Sequence, residues 1–228
     1  VRHFEGHSAA LQTVGFSPDG SLMVTASSDC SAKLWCTETG ECPQTFAGHC
    51  GSVGVAVFSP TGCLIATASM DETARLWSSA SGECLHVLLG HSDCVRHAAF
   101  SPNGSLVATA SADGSVCLWN AESGARMREL TGHEYVRYAT FSADGSLVAT
   151  AAYDEAVKLW STESGRCVHT LLGHGGGTRH VSFNCDGSML AAACQNGEAK
   201  VWDVKTGKLQ RSLRGHEQSI AHAEFTPC

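Results

Sequence analysis

Histidine, serine and aspartate are the residues of a hydrolytic triad, and this chain carries them at fixed spacing. His7, Ser27 and Asp29 are followed by Trp35, then His49, Ser69 and Asp71 by Trp77, then His91, Ser111 and Asp113 by Trp119. A fourth set keeps His133, Asp154 and Trp160 but has Ala152 where the serine should be. A fifth keeps His174 and Trp202, with Cys194 and Asn196 replacing serine and aspartate. A hydrolase needs one such set beside a pocket and an oxyanion hole, not one per copy. No G-x-S-x-G context surrounds these serines. Groups that recur in every copy build a fold, so no catalytic residue and no enzymatic activity are expected.

The 12 histidines and 12 cysteines raise metal and redox chemistry next. Six histidines follow glycine at one repeat position; His97, His180 and His222 share another, and His86 and His169 a third. Repeat placement accounts for nearly all of them without zinc, so no metal and no cofactor are expected. No two cysteines have C-x-x-C spacing, and Cys42, Cys84 and Cys167 occupy a position filled elsewhere by Arg126 and Leu209. That scatter suits small neutral fillers, and the chain reads as reduced and intracellular, cytoplasmic first and nuclear second.

The elements that hold these residues follow from the repeat. Gly-His falls at His7, His49, His91, His133, His174 and His216, a period of 42 residues with one single-residue slip. In the third copy, 95–100 reads as a strand and Ser101-Pro102-Asn103-Gly104 as a tight turn. A second strand over 106–110 is apolar on both faces and therefore central. Strands over 116–119 and 127–130 follow, separated by turns at Asp113-Gly114 and Gly124. No segment has the 3.6-residue period of an amphipathic helix. Four short antiparallel strands per copy define an all-β fold of β-propeller type, five complete blades in one continuous array. The repeats run 7–48, 49–90, 91–132, 133–173 and 174–215, with partial repeats over 1–6 and 216–228. Residues 1–5 match a fourth strand and 220–225 a first, which predicts an open or truncated arc with frayed ends.

The frame GH…V-x-x-x-x-F-S-P-D-G-S…A-T-A-S-x-D-x-x-x-x-L-W resembles the WD-repeat (WD40) family across essentially the whole chain. Only Trp202-Asp203 is a literal Trp-Asp. The resemblance implies a hydrogen-bond network within each blade. In it the aspartate accepts from the histidine ring, the serine bonds that ring, and the tryptophan indole bonds the serine. By that account the network decays in the fourth and fifth copies. The family also presents ligands on the face of the Gly-His loops and the turns between second and third strands.

Two columns on that face vary between copies. After the strand-one aliphatic come Gln12, Gly54, Arg96, Arg137, Arg179 and Ala221; before the turn Asp or Asn come Ser28, Met70, Ala112, Tyr153 and Gln195. Arg96, Arg137 and Arg179, with Tyr135, Tyr153 and Met70, make a candidate partner-binding arc in a chain of net charge −7. Guanidinium forks suit carboxylate or phosphate. The expected function is a non-catalytic protein-interaction scaffold that binds an acidic or phosphorylated partner segment, as part of a multiprotein complex. The alternative is a regulatory or sensor array of a larger signalling protein, an NTPase or ubiquitin-ligase adaptor. Hydrolysis in a central channel would need one unique, pocketed nucleophile–base pair, and none is visible. The acidic balance speaks against direct nucleic-acid or membrane binding.

Overall fold

The computed structural model describes residues 3–226. Alternating apolar and small residues between glycine turns form twenty strands in five four-stranded antiparallel sheets. The first sheet contains β1 (Leu11–Phe16), β2 (Leu22–Ser27), β3 (Ser31–Cys36) and β4 (Gln44–Ala47). The second contains β5 (Val53–Phe58), β6 (Leu64–Ser69), β7 (Ala74–Ser78) and β8 (Cys84–Leu88). The third contains β9 (Val95–Phe100), β10 (Leu106–Ser111), β11 (Val116–Asn120) and β12 (Arg126–Leu130). The fourth contains β13 (Val136–Phe141), β14 (Leu147–Ala152), β15 (Val157–Ser161) and β16 (Cys167–Leu171). The fifth contains β17 (Thr178–Phe183), β18 (Met189–Cys194), β19 (Ala199–Asp203) and β20 (Leu209–Leu213). Each is a meander with its strands in chain order. No helix among the described residues is long and apolar enough to cross a membrane.

The turn between first and second strands shows how local sequence sets the register. In the fourth sheet Gly145 takes φ 73°, a conformation that glycine adopts without Cβ strain. Ser142 Oγ donates to Asp144 Oδ1 at 2.6 Å and accepts from Leu147 N–H at 3.0 Å. Asp144 also accepts from Ser146, and these hydrogen bonds hold its carboxyl at about 2.

The chain divides into two compact units. One holds the chain up to Thr109 together with Trp119–Met127, and the other holds Ala110–Leu118 and the chain from Arg128 onward. In the first, Val24, Leu34 and Phe46 of the first sheet pack with Val53, Ile65 and Trp77 of the second. In the other, Val157, Leu159 and Leu171 pack with Val181, Leu190 and Trp202. The second strand of every sheet is buried along nearly its whole length, as expected of a strand covered on both faces. The fourth strands each bury one residue, Phe46, Leu88, Leu130 or Leu171, and are otherwise largely exposed; β20 is exposed throughout.

The terminal strands do not form as expected. Residues 3–5 and 220–225 are not strand, while Val1 and Arg2 lie outside the described residues. Over 220–225 the backbone is tethered at single points rather than by a ladder: Ile220 N–H donates to Cys194 O at 3.2 Å, and Ser182 Oγ to Ala223 O at 2.8 Å.

Candidate functional site

Four of the five sheets contain a directed chain of hydrogen bonds through the expected histidine and tryptophan, but the hydroxyl in it is a threonine. His7 Nδ1 lies 2.7 Å from Asp29 Oδ2, and its Nε2 lies 2.8 Å from Thr25 Oγ1. Trp35 Nε1 donates to the same oxygen at 2.8 Å. His49, Asp71, Thr67 and Trp77 repeat this at 2.8–2.9 Å. His133, Asp154, Thr150 and Trp160 repeat it at 2.7–2.9 Å. In the third sheet His91 Nε2 and Trp119 Nε1 meet Thr109 Oγ1, each at 2.8 Å.

The serines bond the backbone rather than the histidine ring and the indole. Ser27 Oγ donates to Ala9 O and accepts from Asp29 N–H; Ser69 does the same with Gly51 and Asp71, and Ser111 accepts from Asp113 N–H. The reason is register. Trp35 stands opposite Met23, so its indole reaches the diagonal neighbour Thr25 on the same face, while Ser27 lies a further pair along the strand. The fourth sheet therefore keeps its network despite Ala152, and the expected decay there does not occur.

Proton placement follows from the partners. A carboxylate only accepts, so the proton sits on Nδ1 facing it; a neutral ring then leaves Nε2 to accept from the threonine hydroxyl, which itself accepts from the indole N–H. Burial, outweighing the facing carboxylate, pushes His49 and His133 below the ordinary imidazole value. Burial raises Asp71, but Thr73, Cys50 N–H and His49 outweigh it and hold it at about 2. Asp, His and hydroxyl thus have the distances of a catalytic triad. What they lack is access: Thr67, Thr109 and Thr150 are 0% exposed, and each hydroxyl is already engaged by an indole. No substrate carbonyl can approach such an oxygen.

The fifth sheet has lost the network at its centre. Ala192 occupies the threonine position, and Trp202 Nε1 is buried with no hydrogen-bond partner. His174, 0% exposed, lies 3.3 Å from Cys194 Sγ through Nδ1 and 3.1 Å from Leu171 O through Nε2. Burial, then the Lys200 charge, pushes His174 down to about 4. Burial likewise pushes the Cys194 thiol up to about 11, so it is no nucleophile. Lys200 bonds the Gly173 carbonyl and pairs with Glu198, which also holds Arg214 at 2.7 Å. Thr178 Oγ1 and Arg179 Nε are further buried atoms without hydrogen bonds.

The two variable columns meet at a β-bulge. Pairing slips by one residue at Leu11/Thr13, Val53/Val55, Val136/Tyr138 and Thr178/His180, so Gln12, Gly54, Arg137 and Arg179 are the extra residues. A bulge releases its residue from the ladder and re-aims the side chain. In the first sheet Gln12 reaches across to Ser28 Oγ at 2.8 Å. In the fourth, Arg137 Nη1 donates to Tyr153 Oη at 3.1 Å. Tyr153 stands edge-on to Tyr135 with ring centroids 4.9 Å apart, and its N–H bonds the Tyr135 carbonyl. Gly177 lies against this pair, where a Cβ would come within 2.7 Å of the Tyr153 ring. Tyr153 is 38% exposed and Arg137 is exposed. Neither Arg137 nor Arg179 pairs with a described carboxylate. In the first unit Arg96 is half-buried and Met70 is 49% exposed. The bulge was not anticipated; its signal was a column of unlike residues directly after a fixed aliphatic.

Cys185 is disulfide-bonded, a departure from the all-reduced reading, whereas Cys117, Cys194 and eight other described cysteines carry free thiols.

Sheets of this topology, locked by a His–Thr–Trp core, define a class of repeat protein, and comparison with known families gives its name. The WD domain, G-beta repeat family matches residues 1–36, 40–78, 82–120, 124–161 and 165–203, and the chain belongs to it. WD-repeat domains are typically non-catalytic scaffolds for protein–protein interaction. No curated protein matches the chain.

Proposed function

We propose that the edge carrying the Gly-His loops recognises an acidic or phosphorylated segment of a partner protein inside the cell. The observation that carries this reading is the Arg137–Tyr153–Tyr135 cluster. The bulge lifts the guanidinium out of the ladder, one N–H is spent on Tyr153, and no described carboxylate pairs with the charge. A guanidinium held on an aromatic pair is preorganised for a bidentate anion, with less side-chain entropy to lose on binding. Arg179 and Gln195 hold the equivalent columns of the fifth sheet, and Arg96 that of the third. The ten free thiols fit a reducing compartment, and Cys185 stands against it.

An array of peptides bearing phosphoserine, glutamate or alanine at matched positions tests the reading. Anionic peptides should be retained over alanine peptides. Arg137→Glu with Arg179→Glu and Arg96→Glu should abolish retention while the circular dichroism spectrum is unchanged. Lysine at the same positions should weaken binding less, since charge remains and the fork is lost. Retention that is indifferent to charge reversal would overturn the proposal.

A further inference from the structure

The position two after the strand-one aliphatic carries Tyr138 in β13, His180 in β17 and His222 beyond β20. Their rings form a column, with centroids 4.3 Å apart between Tyr138 and His180 and again between His180 and His222. His180 is 2% exposed, whereas His222 and Glu224 reach solvent. His180 Nδ1 lies 3.2 Å from the Ala223 carbonyl. A carbonyl only accepts, so the proton is on Nδ1 and Nε2 presents a lone pair. Ser182 Oγ donates to the same carbonyl at 2.8 Å. Two donors of β17 thus pin the residue between His222 and Glu224, which holds both side chains beside His180. One donor atom from each of His180, His222 and Glu224 lies within 4.8 Å of the others.

We infer that His180, His222 and Glu224 form a binding site for a divalent transition-metal ion of the zinc class. Two imidazoles and a carboxylate suit zinc, cobalt, nickel or copper; magnesium and calcium prefer an all-oxygen shell. Bonds of about 2.0–2.2 Å keep ligand atoms within roughly 4.4 Å of one another. Rotation of the exposed His222 and Glu224 side chains closes the remaining gap. His180 already has the arrangement typical of a metal-bound histidine, its second nitrogen fixed on a backbone carbonyl. Tyr138 closes one side of His180. Three protein ligands leave a fourth position for water or a partner's side chain. His7, His49 and His133 cannot do this, because both ring nitrogens of each are taken by aspartate and threonine.

Titration of the full 228-residue chain with Co(II), followed by visible absorption and by displacement with Zn(II), tests the site. The expected result is one saturable equivalent with the weak ligand-field bands of nitrogen and oxygen ligands. His222→Ala and Glu224→Gln should each weaken binding by roughly tenfold or more. Both residues are exposed, so these variants should keep the wild-type circular dichroism spectrum. His86→Ala and His169→Ala, on outer strands, should bind as the parent does. Three results would overturn the inference: no saturable binding, affinity unchanged in both ligand variants, or an intense thiolate charge-transfer band placing the ion on cysteine.

Discussion

At the scale of single residues, the threonine at the centre of each network decides more than the serine two positions on. Thr150→Val keeps the shape but leaves the Trp160 indole N–H without an acceptor and His133 Nε2 without a donor. Unpaired buried groups cost about 1–3 kcal/mol each, so urea denaturation should show a loss of about 2–4 kcal/mol. Ser69→Ala removes one bond to a loop carbonyl and one from Asp71 N–H, and should cost nearer 1 kcal/mol. Equal losses would put the serine back at the centre. The sequence shows both hydroxyls with the same regularity, Thr at 25, 67, 109 and 150 and Ser at 27, 69 and 111. Choosing between them needs the cross-strand register, which motif spacing does not carry. The histidine, aspartate and tryptophan were legible because each recurs at fixed distance and has few chemical alternatives.

At the scale of the element, the fifth sheet is the weak one, and for reasons the sequence displays only in part. Cys194 and Asn196 are visible substitutions, but the larger loss is Ala192, which is unremarkable until Trp202 is seen to point at it without a partner. Ala192→Thr should supply the missing acceptor and raise the melting temperature, since four sister sheets accommodate threonine at this position. A fall in melting temperature would mean that the His174 ring, turned toward Leu171 O and Cys194, has closed the space. Native-state hydrogen exchange should report faster opening of β17–β20 than of β13–β16. Strand positions were legible almost to the residue, because glycine turns bracket each apolar run. The bulges were not, because a one-residue slip leaves the apolar pattern of the strand looking continuous.

At the scale of the whole molecule, acid should unfold the chain earlier than its carboxylates alone would require. Burial holds His174 and His180 at about 4, below their ordinary 6.5, and lowers His49 and His133 as well. The unfolded chain therefore takes up protons first. Stability is full above about pH 6.5 and erodes as pH falls toward 4, by up to about 3 kcal/mol for His174 alone. Asp71, held at about 2, adds its own loss only below pH 4. Denaturation midpoints between pH 7 and pH 4 should decline with a slope of more than one proton; a flat profile would contradict neutral burial of these rings. The architecture was legible from the period alone, since five copies of one strand–turn pattern admit few packings. The edge proposed to meet a partner was legible only as two columns of unlike residues; that they touch, Arg137 to Tyr153 and Gln12 to Ser28, depends on backbone geometry.

The bulge at the start of the first strand in four of the sheets also bears on how such a chain can change through descent. Gln12, Gly54, Arg137 and Arg179 stand outside the hydrogen-bonded ladder, so their identity is not tied to register. Substitution at the exposed Gln12 and Arg137 should behave as at an ordinary surface site, within about 0.5 kcal/mol. The other first-strand positions of these sheets are each answerable to a partner on the second strand. Duplication can therefore multiply the scaffold while mutation rewrites one letter in every 42, and a lineage can explore new partners without first having to survive a loss of folding.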